Sequence, residues 1–156
     1  MNHRAWGGLL TVAIVLCACT LGTPYHHFLP LPQEGWGRAD TVSFALPVMT
    51  DAQDCSLHVE LRATRLYPYT DLWMGVEQRD SDSVLLCRDT LHISMTDSTG
   101  CLSGRGLNLL EYTSEPLALA HMADKSCRQV RIFHLMSQET VTELTDVGLR
   151  ITRNHQ

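Results

Sequence analysis

Cys17 and Cys19 carry the most specific chemical signal in the chain. The segment Leu16-Cys17-Ala18-Cys19 places a small residue directly before a cysteine and a branched apolar residue three positions before it. That is the arrangement read by bacterial lipoprotein-processing enzymes: a thiol to take a diacylglyceryl group, a small side chain where the peptidase cuts, and a new amine for a further acyl chain such as palmitate. Several acyl chains hold a protein on a bilayer where one would not. Cys19 is therefore the expected lipidated residue. Cys17 is the poorer choice, because bulky Leu16 would stand at its cleavage position. The elements around the site agree: basic Arg4 precedes an apolar stretch ending at Leu16 that is too short for a membrane span and has signal-peptide proportions. No Asp occupies the second mature position, where Thr20 follows Cys19. The expectation is attachment to the outer membrane, with the domain facing the periplasm.

With Cys17 removed and Cys19 acylated, Cys55, Cys87, Cys101 and Cys127 remain. In an oxidising compartment they allow two disulfides in any of three pairings, and free buried thiols are the equal alternative. Eight histidines raise the question of a metal. His26 and His27 are adjacent and point to opposite sides of an extended chain, while His58, His92, His121 and His134 lack a second ligand at metal spacing. Asp80-Ser81-Asp82 lacks the glycine and distal Glu of a calcium loop and reads as a solvated turn. No nucleophile elbow, dinucleotide loop or phosphate-binding lysine is present, and no cofactor or metal is expected. Trp36, Tyr67, Tyr69 and Trp73 are the aromatic residues for core packing or for an interaction platform. Trp36 and Trp73 are expected in the core.

The supporting elements read as strands. Thr41–Leu46 and Ser56–Ala63 alternate apolar and polar residues, Leu72–Val76 is continuously apolar, Glu77–Ser83 reads as a loop, and Val84–Met95 alternates again. Asp97–Gly100 and Ser103–Gly106 are turns, Leu107–Tyr112 and Gln129–Met136 are strand-like, Ser137–Thr145 reads as a short helical turn or loop, and Val147, Leu149 and Ile151 close the chain. The expectation is all-β: one antiparallel sandwich of about seven or eight strands, Ig-like or jelly-roll-like. Residues 1–18 form the signal peptide, 19–37 a lipidated N-terminus with a proline-rich extended lead-in, and 38–156 the sandwich. The net charge is −5 for the whole chain and −6 once Arg4 leaves with the signal peptide, which argues against nucleic acid as a partner.

One ordered set of residues goes further. Tyr25, Leu31-Pro32-Gln33-Glu34-Gly35-Trp36, Asp40-Thr41-Val42-Ser43-Phe44, Leu61-Arg62, Tyr67-Pro68-Tyr69-Thr70-Asp71-Leu72-Trp73, Asp89-Thr90, Gly104-Arg105-Gly106 and Asp146-Val147-Gly148-Leu149-Arg150-Ile151 follow one another behind the lipidation motif. Together the set resembles the gliding-motility lipoprotein GldH family of Bacteroidota. It departs from the family pattern at Asp71, at Leu102 and at His134-Leu135-Met136-Ser137. The resemblance implies a non-enzymatic accessory of the envelope machinery for gliding, which in that phylum is coupled to type IX secretion, with protein partners in that machinery and a membrane contact through Cys19. A carbohydrate-binding lipoprotein using the four aromatic residues is the competing reading.

Overall fold

The computed structural model describes residues 25–49, 52–122 and 125–154. Cys17, Cys19 and the signal segment lie outside them. In chain order the strands are β1 (Tyr25–Pro30), β2 (Trp36–Gly37), β3 (Val42–Ala45), β4 (Cys55–Thr64), β5 (Asp71–Arg79), β6 (Leu85–Ser94), β7 (Leu109–Thr113), β8 (Leu117–Ala118), β9 (His121–Met122), β10 (Lys125–Ser126), β11 (Gln129–His134), β12 (Thr140–Val141) and β13 (Leu144–Arg153). A single 3-10 turn, Ala52–Asp54, leads into β4. The eight longer strands match the expected number, and the five two-residue strands add to it. The strands form four antiparallel sheets and not one simple pair. A five-stranded sheet runs β1-β13-β4-β7 with β8 alongside β4, and a four-stranded sheet runs β3-β11-β5-β6. Two ribbons, β2 with β12 and β9 with β10, complete the set.

Alternation explains the layering. Leu57, Val59, Leu61 and Ala63 of β4 face inward with Val147, Leu149 and Ile151 of β13, and Leu72, Met74 and Val76 of β5 face inward with Val130 and Ile132 of β11. All are buried and belong to one core. The expected loop at Glu77–Ser83 starts later, because Glu77, Gln78 and Arg79 pair with Arg88, Cys87 and Leu85 and continue β5. Gln78 is buried yet satisfied: its side chain donates to the Ala118 carbonyl and accepts from the Ala120 amide. Within the stretch expected as a lead-in, β1 pairs with β13 from Tyr25 to Pro30 and Trp36 is fully buried, so sheet and core already include residues before 38. Ser137–Thr145, expected as a helical turn or loop, contributes β12 and the start of β13.

The register fixes two ends in each sheet, and the Gln78 bond to Ala118 and the Tyr67 bond to Asp71 align the two sheets. Tyr25, Ala45, Cys55, Arg79, Gln129 and Arg153 lie at one; Pro30, Thr64, Asp71, Ser94, Leu109 and Leu144 lie at the other.

Candidate interaction surface

Trp73 departs most clearly from its expected place. It sits on β5 between Leu72 and Met74, both fully buried, so alternation turns it to the outer face, where it is 46% exposed. Its cross-strand partner His92 stacks on the ring, with centroids 4.4 Å apart and planes at 26°. His92 Nε2 lies 2.5 Å from an Asp71 carboxylate oxygen. That hydrogen bond, with a second from Thr70, holds the Asp71 carboxyl below the usual carboxylate range.

Further along the same face, Glu77 gathers three guanidinium groups: Arg79 at 2.8 Å, Arg88 at 3.8 Å and Arg131 at 3.9 Å. The Arg79 hydrogen bonds are the main reason that its carboxyl is pushed down, with weaker attraction to the same three arginines. Three cations against one anion make this patch positive on a chain of net negative charge.

Both large sheets carry the same cross-strand device on their outer faces. Gly75 is paired with Phe133, and Gly148 with Phe28. A Cβ on Gly75 would meet the Phe133 ring at 2.4 Å, and one on Gly148 would meet the Phe28 ring at 2.5 Å. The ring thus lies flat over bare backbone, and an arginine covers it: Arg88 at 5.2 Å over Phe133 and Arg62 at 3.9 Å over Phe28. On the five-stranded sheet Glu60 ties the face together by accepting from Arg150 at 2.6 Å and meeting His26 at 2.7 Å.

The other aromatic residues do not form a platform. Trp36 is fully buried, donates its indole N–H to the Asp40 carbonyl at 3.1 Å, and meets His134 edge-on at 5.6 Å. Tyr67 is buried and donates to the Asp71 carbonyl, and burial raises its phenol well above the usual tyrosine range. Tyr69, half-buried, packs edge-on against Tyr67. Exposed apolar residues lie at both ends: Leu66 (75% exposed), Leu107 (86%), Leu109, Leu135 and Trp73 towards the Thr64–Asp71 end, and Val48 (71%), Val84 and Leu85 towards the Ala45–Arg79 end. The Leu135 amide donates to the Trp73 carbonyl.

Cys87, Cys101 and Cys127 are free cysteines in the structure. Cys55 and Cys127 are buried, and burial pushes the Cys127 thiol up to about 11. Cys87 donates to Asp89, which with partial burial raises its thiol as well. Asp80 accepts the Asp82 and Val84 amides on one oxygen and so fastens the β5–β6 turn. No cluster of three His, Cys, Asp or Glu side chains suited to a metal occurs among the described residues. His58 meets Thr152. His134 is buried with both ring nitrogens lacking a well-formed hydrogen bond, and burial lowers its pKa, helped by the nearby Arg38 charge.

Sequence reading missed the Glu77 arginine cluster and the two glycine–phenylalanine pairs. Their one sequence trace was a glycine inside each apolar strand run, at Gly75 and Gly148.

What the geometry defines is an all-β domain whose built features are outer faces and strand edges. The chain belongs to the GldH lipoprotein family, whose model matches residues 23–151. It is 26% identical over 157 aligned positions to the "Gliding motility lipoprotein GldH" of Flavobacterium johnsoniae, covering 97% of this chain and 98% of that protein. Among solved structures, the infectious bursal disease virus VP2 subviral particle is similar over 85% of this chain and 31% of that one, at 11% identity and a TM-score of 0.33.

Proposed function

We propose that this chain is a non-enzymatic lipoprotein of the outer membrane, anchored through acylated Cys19 with its β domain in the periplasm. There it serves as an accessory of the gliding machinery and of the coupled type IX secretion. The observation that carries the reading is the near end-to-end relationship with a gliding motility lipoprotein. The residues add support. Five residues, 20–24, separate Cys19 from β1, a tether of at most about 20 Å. The Tyr25 end of the domain therefore stays next to the bilayer. The exposed Leu66, Leu107, Leu109 and Leu135 then project from the opposite end, towards other proteins of the envelope.

Cys19→Ala is expected to leave a folded domain that no longer fractionates with the outer membrane; pelleting that survives a salt wash would refute the anchor. Deletion of the chain is expected to stop colony spreading, or export of type IX cargo in a host that does not glide. Unchanged spreading and export would overturn the accessory role.

The exposed Trp73 ring favours one second reading, a carbohydrate-binding lipoprotein. Glycan-dependent quenching of tryptophan fluorescence that disappears in Trp73→Ala would support it, and no response across a broad glycan panel would remove it.

A further inference from the structure

The two large sheets have four outer edges, and three of them are covered, short or interrupted by proline. β1 ends in Pro30, which has no N–H to offer, and β3 is only four residues long. β7 is covered: Glu111 exchanges both of its outward main-chain hydrogen bonds with Arg105, at 2.8 and 3.0 Å. The glycines around Arg105 make that cover fit. Gly104 packs against Tyr112 and Leu110 too closely for a side chain, and Gly106 takes a φ of 132°.

β6 is different. It is ten residues long, it pairs with β5 on one side, and among the described residues no strand lies on its other side. The hydrogen-bond phase shows which groups are free. The Met95 amide donates to the Thr70 carbonyl, so Thr70 and Met95 form a hydrogen-bonded pair, and alternation assigns Leu72–Ile93, Met74–Leu91 and Val76–Asp89 to the same class. The bond from the Leu135 amide to the Trp73 carbonyl fixes the complementary phase on the other side of β5. Arg88, Thr90, His92 and Ser94 therefore direct their N–H and C=O groups away from the sheet, four stations over about 20 Å.

A groove of about 750 Å³ opens at the C-terminal end of this edge. One wall is His92, Ile93 and Ser94; the other includes the Ser103–Arg105 bend, residues 111–115, and Glu60 and Arg150 from the outer face of the five-stranded sheet. Its volume admits a segment of chain and not a folded domain.

We infer that β6 is a strand acceptor: it binds an extended, acidic segment of a partner protein, which adds to the four-stranded sheet next to β6. The main-chain stations select extended backbone, and Arg88, beside Arg79 and Arg131 on the same face, selects acidic side chains from the partner. The inference rests on the interaction role proposed above and gives that role its binding chemistry.

The test uses the full-length lipoprotein in its native envelope, with Ser94→benzoylphenylalanine as a photo-crosslinker in the groove. Irradiation is expected to give one heavier species, joined to a partner peptide with acidic residues at alternate positions. Adding Thr90→Pro, which removes one outward N–H without touching the bonds to β5, is expected to lower its yield roughly five- to tenfold at an unchanged melting temperature. Ser43→Pro, on the β3 edge, is expected to leave the yield as it was. If Thr90→Pro lowers the melting temperature, Arg88→Glu decides, with a similar fall expected from reversal of the charge. Absence of the species, a crosslink to a second copy of this chain, or a yield indifferent to both Thr90→Pro and Arg88→Glu would overturn the inference. Lost spreading on deletion without a Ser94 crosslink refutes the strand acceptor alone, whereas a Thr90-dependent crosslink in a strain whose deletion mutant spreads and exports normally refutes the gliding role alone.

Discussion

Trp36 and Trp73 are the same residue type in two opposite environments, and truncating each to Ala separates them. Trp36→Ala removes a fully buried ring that touches His134 and gives its indole N–H to the Asp40 carbonyl. Lost transfer energy and the remaining cavity put the cost at about 3 to 5 kcal/mol. The orphaned Asp40 carbonyl adds little, because Asp40 is exposed and water can replace the indole. For a domain of this size each kcal/mol lowers the melting temperature by about 3 to 4 °C, so a fall of roughly 10 to 20 °C is expected. Trp73→Ala loses one stacked contact with His92 and a ring already half in water, and the expected cost is about 1 kcal/mol. Urea unfolding followed by circular dichroism, with the purified non-acylated domain, measures both. A Trp36→Ala variant within about 1 kcal/mol of wild type, or a Trp73→Ala variant that costs as much as Trp36→Ala, would refute the assignment of inside and outside on β2 and β5.

Two titrating groups give further tests. Burial lowers the His134 pKa, so below the usual histidine value of 6.5 the unfolded chain takes a proton that the folded chain resists, and stability falls as pH drops through that range. His134→Phe keeps a ring against Trp36 and is expected to flatten the stability profile between about pH 7.5 and 5.5; parallel profiles would sink the assignment. Glu77, 12% exposed among three guanidinium groups, has a lowered pKa, so its contribution is present above the ordinary value of 4.5 and is lost as pH falls through the lower folded value. Glu77→Gln is expected to cost about 1 to 2 kcal/mol at neutral pH and to have less left to lose in acid, which urea titrations at pH 7 and pH 3.5 compare directly.

Alternation made most of the fold legible. The inward rows of β4, β6 and β13 follow from residues such as Leu57, Val59 and Leu61 spaced by two with nothing competing, and the all-β antiparallel class follows from them. It failed where burial and polarity disagree. Glu77 and Arg79 look like loop residues, yet they occupy the outer face of β5 and neutralise one another there, while Gln78 between them is buried by two main-chain partners. Trp73 failed for the opposite reason: a run that is apolar at every position carries no period, so the sequence offers no way to tell its inward side chains from its outward ones.

The surface was less legible because its units are cross-strand pairs, and pairs depend on register. Asp71, Trp73 and His92 are recognisable residues, but nothing in the chain says that position 73 faces position 92 or that the carboxylate of residue 71 reaches the same ring. The same holds for Phe28 over Gly148 and Phe133 over Gly75, where partners 120 and 58 residues apart form one packing unit. Once register is known, the arrangement on the outer faces has a physical reason. A phenylalanine facing water on a sheet is a liability, and a glycine opposite it lets the ring drop onto the backbone while an arginine roofs it. Trp73 is paired with His92 and has no such glycine beneath it, which is why it alone among the tryptophan and phenylalanine rings of the two outer faces remains as open as 46%. Open aromatic area, excess arginine and unpaired main-chain groups then coincide on and beside β5 and β6, and a partner that meets one of them meets all three.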